Sequence, residues 1–321
     1  MIKAFVADND RLRAVDDIVS NVDRIVWIDL LSPTKEEEDS TERLIGVGIP
    51  TREEMEEIEI SSRLYTENGA YVMTATLPAH ADGDRPAMLP VTFVLAGQRL
   101  VTVRYHEPRA FQTFPARAEK ADTGCTNGET ILVSLIEVIV DRLADVLERA
   151  SREVIDISQD IFHPTAKKAS KRDRDFQELL RRIGSKEDLV SKIQDSLLTL
   201  QRLSGFLANV VSDEKTLRAR VKTISRDVVS LTDHASFQTQ KITFLLDATL
   251  GMINIEQNAI IKIVSVAAVV FLPPTLVASV YGMNFEIMPE LQWAFGYPLA
   301  LGLMVVSAVL PFWLFRRKGW L

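Results

Sequence analysis

The sequence predicts an α+β membrane protein: an N-terminal α/β domain, then long helices, a stalk helix continuous with a first transmembrane helix, and a second transmembrane helix. Three observations carry this. Two uncharged apolar runs, Ile263–Val280 and Tyr297–Phe315, lie near the C-terminus. No proline occurs in the 108 residues from Thr165 to Leu272. The first 110 residues alternate short β-rich runs with turn and cap signals. At 321 residues, 47% hydrophobic and 25% charged, the chain is too long for one small domain and too apolar for disorder; its length suggests about two domains.

Strand-like runs occur at Ile25–Leu30, Ala70–Leu77, Val91–Leu95 and Leu100–Tyr105, the last two joined across Gly97-Gln98 as a hairpin. Between them, Ser32-Pro33 and Thr51-x-x-Glu54 are helix-start signals. The Glu-rich stretches that follow, Glu36–Asp39 and Glu53–Glu59, read as solvated helix faces, or as part of a divalent-ion site completed by a neighbouring subunit. Residues 1–128 are assigned to this domain.

From Gly128 the pattern lengthens. Apolar residues recur at helical spacing from Thr130 to Phe162, ending near His163-Pro164. The proline-free stretch reads as one helix over Lys171–Val211, with Gly184-Ser185 an interruption, and another from Glu214 to Tyr281, the two separated by a cap at Ser212-Asp213. Residues 129–212 are then a long helical hairpin and 213–259 a stalk. At 1.5 Å per residue the last helix is on the order of 100 Å long, and only about 30 Å of it fits in lipid. A lone stalk of that length needs partners to bury its apolar stripe.

A bilayer core needs about 20 helical residues, so both apolar runs can span it. The spans are placed at 260–281 and 297–315, with a connecting loop at 282–296 and a basic tail at 316–321. Two buried core helices are the alternative, but two uncharged runs of this length in succession are rare in soluble folds. Met1–Asp8 has no charged-then-apolar signal pattern. The loop carries Glu286 and Glu290 and no Lys or Arg, whereas Arg316, Arg317 and Lys318 follow the second run and Lys262 precedes the core of the first. The positive-inside bias then puts both termini in the cytoplasm and the loop outside the plasma (inner) membrane. Trp293, Tyr297, Trp313 and Trp320 fit interfacial belts.

Charge excludes several functions. The net charge is −7, and residues from Ile260 onward carry four Lys/Arg against two Glu, leaving −9 on residues 1–259. An acidic body does not suit a nucleic-acid binder, whose phosphate contacts need basic surface. The single cysteine, Cys125, excludes a disulfide framework and any multi-thiolate zinc site. His80, His106, His163 and His234 are scattered, without zinc-ligand spacing. No Walker A loop, Rossmann glycine pattern or nucleophile elbow is present, so neither an enzyme nor a nucleotide-driven pump is expected, and no cofactor.

Read at alternating steps of three and four, the last helix presents one face: Asp247, Gly251, Asn254, Asn258, Ile261, Ser265, Ala268, Leu272, Thr275 and Ser279. In parallel helices such a heptad-like seam points at a common axis. It is polar in the stalk, small or hydroxylated within the bilayer, and has one bulky apolar position, Leu272. Polar side chains at membrane depth face protein or water, which favours a water-filled axis. Close helix packing through Ser, Thr and Ala explains the span alone equally well. Asn254 and Asn258 tilt the balance toward the axis, although a buried Asn can also fix coiled-coil register. Pro273-Pro274 interrupts backbone bonding beside Leu272, as a simple kink or as a flexible point next to a hydrophobic constriction.

The span ends in Tyr281-Gly282-Met283-Asn284-Phe285, followed by Met288-Pro289-Glu290-Leu291. This resembles the signature loop of the CorA family of magnesium channels, whose hallmark is Gly-Met-Asn after the first of two C-terminal spans. The similarity extends over Asn254-Ile255-Glu256-Gln257-Asn258, Phe271-Leu272-Pro273-Pro274-Thr275, Phe295-Gly296-Tyr297-Pro298 and Gly319-Trp320-Leu321, about 75 residues, closest to enterobacterial-type members. Trp27-Ile28-Asp29-Leu30 is a weaker match. Alone, Gly282 and Asn284 would read as an ordinary turn, since both residue types tolerate φ > 0. Between two spans, in a loop without cationic residues and above a polar stripe, they read as a filter.

The resemblance implies a funnel-shaped homopentamer that conducts hydrated Mg²⁺ passively, with Co²⁺ and then Ni²⁺ as further cargo, gated by cytoplasmic Mg²⁺ between neighbouring acidic domains. It implies a filter of Tyr281, Gly282, Met283 and Asn284, a pore lined by Asn258, Ile261, Ala268, Leu272 and Thr275, and Asp247 at the inner end. Every one of these pore-lining residues already belongs to the seam drawn from periodicity, which adds Asn254, Ser265 and Ser279. Mg²⁺ sheds water reluctantly and prefers oxygen ligands. The Asn284 amide, the Gly282 carbonyl and Asn258 can therefore hold it outer-sphere, while Glu286 and Glu290 raise cation concentration at the mouth without gripping. Leu272 is the candidate hydrophobic gate, acting by dewetting. A divalent ion crossing 100 mV gains roughly 4.6 kcal/mol, enough for uptake without ATP. The stalk position where the family carries a sensor carboxylate falls near Thr223, with Asp227 and Asp233 further along, so no sensor residue is assigned. Two rivals remain: a zinc-transporting relative, which usually carries Ile where Met283 stands, and a membrane-anchored scaffold, which leaves Asn258, Thr275 and the Gly282–Asn284 loop without a role.

Overall fold

The computed structural model describes residues 1–8, 10–81, 83, 86–120, 124–163, 169–212, 214–284 and 288–318. They fall into two compact units, Met1–Leu246 and Asp247–Leu321.

The first unit is built on a seven-stranded sheet in the order β2-β1-β3-β7-β6-β5-β4. Its strands are β1 (Ile2–Asp8), β2 (Arg11–Val15), β3 (Ile25–Leu31), β4 (Leu64–Glu67), β5 (Ala70–Ala79), β6 (Ala87–Ala96) and β7 (Arg99–Arg104). Central β3 and β7 pair parallel, and every other pair is antiparallel. The four runs expected from sequence are β3, β5, β6 and β7. Gly97, at φ 56°, makes the β6–β7 turn that pairs Ala96 with Arg99.

Alternation on β3 explains why both faces of the sheet are covered. Ile28 and Leu30 join Ala4, Val94, Val101 and Val103 in a cluster with Val47, Ile49 and Met55, which lie in and after α1 (Lys35–Ile45) and α2 (Arg52–Glu56). On the other face Trp27 stacks on Phe5 at 4.5 Å and meets Phe114 of α4 (Ala110–Lys120) at 5.7 Å. Between these layers, Asp29 and Arg104 form a bidentate pair at 2.7 and 3.0 Å, each side chain only 3% exposed. Thr102 donates to Asp29 at 2.8 Å and accepts from the Trp27 indole at 3.0 Å, so the weakly matched Trp27–Leu30 stretch is one hydrogen-bonded anchor in the core.

One helix start and one helix end differ from expectation. Thr34, not Ser32-Pro33, caps α1 in a reciprocal box with Glu37, and Ser32 takes φ 43°. The Thr51–Glu54 box forms as read, but α2 stops at Glu56, so Glu57–Glu59 are not on a helix. A further turn, α3 (Ile60–Arg63), leads into β4.

Three long helices follow: α5 (Gly128–Phe162), α6 (Ala169–Val210) and α7 (Lys215–Tyr281). Gly128 lies so close to the β6–β7 turn that a Cβ there would be 2.6 Å from the Arg99 carbonyl carbon; its N–H donates to Gln98 O at 2.7 Å. Gly184-Ser185 does not interrupt α6, because a mid-helix glycine costs only about 1 kcal/mol and the buried Leu197, Leu200 and Leu203 repay it through packing. The early part of α7 is tied to α5 by Arg220 on Glu137 (2.7 and 2.9 Å) and Gln238 on Ser151 (2.7 Å), and to α6 by Gln194 on Ser236 (2.9 Å).

The second unit holds the rest of α7, a short 3-10 turn (Pro289–Gln292) and α8 (Gly296–Arg317). Pro273 and Pro274 lie inside α7, which continues to Tyr281 as the sequence suggests, with only a local loss of hydrogen bonds. Both apolar helices present their most hydrophobic windows unburied. Arg317 sits over the Trp313 ring at 5.4 Å, a cation–π contact at the basic end of α8. Trp320 lies outside the described residues.

Two predictions test the first unit. Asp29→Ala strands a buried guanidinium, and should cost about 3–5 kcal/mol in denaturant unfolding of the detergent-solubilised chain. His106 is half-buried with its Nε2 on Leu77 O at 2.9 Å; burial, more than the nearby Arg104 and His80, pushes its pKa down to about 4. An unfolded His titrates near 6.5, so the unfolded state takes up the proton first. Stability from this group is present above that value and is lost as pH falls toward 4, by at most about 1.4 kcal/mol per pH unit before solvent screening. His106→Asn should flatten that stretch of the stability–pH profile.

Candidate functional site

The site is assembled on the last part of α7 and the turn after it. Of the ten seam residues, all but the half-covered Gly251 are exposed in the single chain. On the other side of the helix Val266, Val269, Val270, Pro273 and Val277 are half-buried. The seam therefore lies within the uncovered surface of α7, from Asp247 past Asn254, Asn258, Ile261, Ser265, Ala268 and Leu272 to Thr275 and Ser279, and the exposed side chains beside it, such as Ile263, Val264, Phe271 and Leu276, are apolar.

Its hydroxyls are oriented. Thr275 Oγ1 donates to Phe271 O at 2.7 Å and Ser279 Oγ to Thr275 O at 2.8 Å. Each proton is thus committed to the helix's own backbone, which satisfies the hydroxyl at membrane depth. The remaining lone pairs are acceptors, the polarity that matches the outward-pointing hydrogens of a hydrated cation. Pro273 and Pro274 lack N–H groups, so the Val269 and Val270 carbonyls lose their helical donors one turn below.

At the end of α7, Gly282 N–H donates to Ala278 O at 2.9 Å and Met283 N–H to Val280 O at 3.3 Å. Gly282 is not among the described glycines with positive φ. A Cβ at Gly282 would stand 3.1 Å from Ala278 O, a tight contact that a small backbone shift relieves. Asn284 is likewise absent from the described residues with positive φ, so neither residue makes a left-handed turn. Tyr281 is half-buried, and Gly282, Met283 and Asn284 are exposed in succession. Glu286 lies outside the described residues, and of Glu290 only the backbone, in the 3-10 turn, is described. The structure brings Tyr281–Asn284 together at one helix end, and sets the seam below them. One chain supplies one copy of each group.

The donor set is oxygen only: amides, hydroxyls, carbonyls and the Asp247 carboxylate. Among the described residues no group of three or more His, Cys, Asp or Glu is arranged to hold a metal. Sequence reading missed one electrostatic feature in the first unit. Burial, followed by Glu137, Asp145 and Asp227, raises the Asp141 pKa above the usual carboxylate value, against the opposing charge of Arg117. The four-residue spacing of Glu137, Asp141 and Asp145 on α5 was the available signal. The first Glu-rich stretch is engaged locally, with Lys35 on Asp39 at 3.2 Å and Glu37 on the N-terminal amine at 3.0 Å.

Comparison with known proteins adds the following. Residues 22–317 match the family model described as CorA-like Mg²⁺ transporter protein. The magnesium transport protein CorA of Haemophilus influenzae is 36% identical over 321 residues, covering all of both chains. That of Pectobacterium atrosepticum is 36% identical over 323 residues, again covering both completely. Among solved structures, the complete CorA magnesium transporter of Methanocaldococcus jannaschii matches with a TM-score of 0.77 at 19% identity, over 100% of this chain and 99% of that one. The ZntB cytoplasmic domain of Vibrio parahaemolyticus matches with a TM-score of 0.55 at 10% identity, over 78% and 97%. At such identities these two structures speak to the fold alone.

Proposed function

Because the chain belongs to the CorA-like Mg²⁺ transporter family, we propose that it conducts hydrated Mg²⁺ passively into the cell, through a pore at the axis of a homopentamer. The observation that carries this reading is an uncovered, oxygen-bearing seam along α7 that ends at Gly282-Met283-Asn284. In this reading both termini are cytoplasmic, residues 260–281 line the pore, residues 213–259 are its stalk and 282–296 its outer loop.

The chemistry follows from the ion. A site that demanded dehydration would be slow, and a ring of carboxylates at the narrowest point would hold a divalent ion too tightly for release. Asn284 amides and Gly282 carbonyls, repeated around the axis, offer neutral acceptors to the ion's water shell. Ser279, Thr275, Ser265 and Asn258 continue the same acceptor polarity inward, and Leu272 interposes an apolar ring that dewets when narrow. Asp247 marks the inner end. The potential supplies roughly 4.6 kcal/mol per divalent ion at 100 mV. Co²⁺ and Ni²⁺, which also form six-coordinate aqua ions, are further cargo.

Oxygen donors favour Mg²⁺ over Zn²⁺, which prefers nitrogen and sulfur, and no His or Cys stands on the seam. Closure by cytoplasmic Mg²⁺ is consistent with the acidic body, net −9 over residues 1–259. Divalent ions between neighbouring acidic subunits would screen their repulsion, and the loss of those ions would let the subunits part.

Proteoliposomes holding a Mg²⁺ reporter test the proposal. Wild-type protein should admit Mg²⁺ in proportion to an imposed inside-negative potential, and Asn284→Ala should cut that influx by about tenfold or more. Zn²⁺ influx without Mg²⁺ influx, or no flux from well-folded protein, defeats it. Cobalt(III) hexaammine, which mimics hydrated Mg²⁺ but cannot shed its ligands, should block from the loop side. Flux that ignores this ion would mean that Mg²⁺ passes dehydrated.

A further inference from the structure

The seam does not stop at Asp247. Continued toward the start of α7 in the same alternating steps, it passes through Phe244, Gln240, Phe237, Asp233 and Ser230, all exposed. The intramolecular packing of this part of α7 uses the opposite face, where Val228, Ala235, Gln238, Ile242 and Leu245 are buried. Phe237 and Phe244 thus remain 60% and 59% exposed, more than the neighbouring exposed aliphatics Val229, Leu246 and Leu250.

Their register is the same as that of the pore seam. Phe237, Phe244, Gly251, Asn258, Ser265, Leu272 and Ser279 stand seven residues apart without a break. A strict seven-residue repeat keeps one line of side chains turned toward partner helices. Phe244 also stacks on Phe162, at the end of α5, with ring centroids 6.1 Å apart and planes at 23°. That pair is itself uncovered, so it enlarges the apolar surface at the Phe244 level.

Resting on the channel reading above, we propose that Phe237 and Phe244 of each copy form an apolar collar around the permeation axis, on the cytoplasmic side of Asp247. The collar is a second hydrophobic barrier in series with Leu272. Phe244 is four heptads from Leu272, about 42 Å along the helix, which exceeds the roughly 30 Å hydrocarbon core and puts the collar outside the bilayer. A hydrated divalent ion in a narrow phenyl-lined ring loses its outer water layer without replacement, so the ring blocks when tight and costs little once the stalks part. The occupant of this face is a second copy of the same face, because the pore seam it continues demands one.

Two measurements on the full-length protein test this. Cys125 is buried, so a thiol placed at Phe237 or Phe244 is the accessible one. Mild oxidation of membranes carrying Phe244→Cys or Phe237→Cys should give disulfide-linked dimers. In planar bilayers with Mg²⁺ on both sides, which holds the channel shut, Phe237→Asn/Phe244→Asn should raise the residual Mg²⁺ current by about fivefold or more, while current after chelation on the stalk side stays within about twofold. Phe244→Leu, which keeps an apolar side chain, should leave the closed-state current near wild type. Absence of cross-links at both positions, an unchanged closed-state current in the Asn variant, or an equal rise with Leu overturns the collar. If wild-type protein carries no Mg²⁺ current, or Asn284→Ala leaves it intact, the channel reading fails instead.

Discussion

A polar stripe on a helix that crosses lipid must be covered by something other than lipid. The rest of this molecule depends on that constraint. Asn258, Ser265, Thr275 and Ser279 are uncovered in one chain, and α8 does not bury them. Thr275 and Ser279 soften the cost by donating back to the helix, but their lone pairs and the Asn258 amide still need partners. In the proposed reading, water on a shared axis satisfies all of them at once. It also explains why the polar groups stay in one line over so many turns, which close packing of two helices does not require. Selectivity, in the proposed reading, is a further use of the same acceptors.

The first unit supplies what a helix of this length cannot supply alone. Its sheet is held at the centre by the Asp29–Arg104 pair, and α5 is docked on the β6–β7 turn through Gly128. The bonds from Arg220, Gln238 and Ser236 then fix the rotation of α7 about its own axis. That rotation decides which face remains free. Within the first unit the buried residues of α7, from Val228 to Leu245, lie on one side and leave Phe237 and Phe244 exposed on the other.

Patterns of long period were legible in the sequence, and local compensations were not. The apolar runs, α5 and the extent of α7 followed from periodicity over many turns. Edge strands β2 and β4 did not, because five- and four-residue strands with exposed alternate positions carry little hydrophobic signal. Gly184 was read as an interruption because glycine is costly in isolation, yet leucine packing outweighs it, whereas Pro273-Pro274 were read inside a helix running to Tyr281 and lie inside it. Ser32 looked like a cap, but Thr34 has Glu37 at the spacing that closes the box. At the turn after α7 the absence of a left-handed conformation at Gly282 and Asn284 was not legible, since both residue types permit it and only the backbone decides. The aromatic extension of the seam was also visible in the spacing, but an exposed phenylalanine is noticed only once burial of the opposite face is known.

In the proposed reading, two apolar rings in series raise the question of how they could open together. Their placement answers it. Phe244 and Leu272 lie on one uninterrupted stretch of helix, since the first proline of α7 is Pro273. Without a kink or bulge between them, that stretch moves as a rod, and any tilt at its domain end displaces both rings at once. Beyond Leu272 the paired prolines remove two backbone bonds, so the filter turn need not follow the tilt. In the proposed reading, a stiff segment carrying both barriers, joined through a softened point to the outer turn, lets both rings open without altering what that turn recognises.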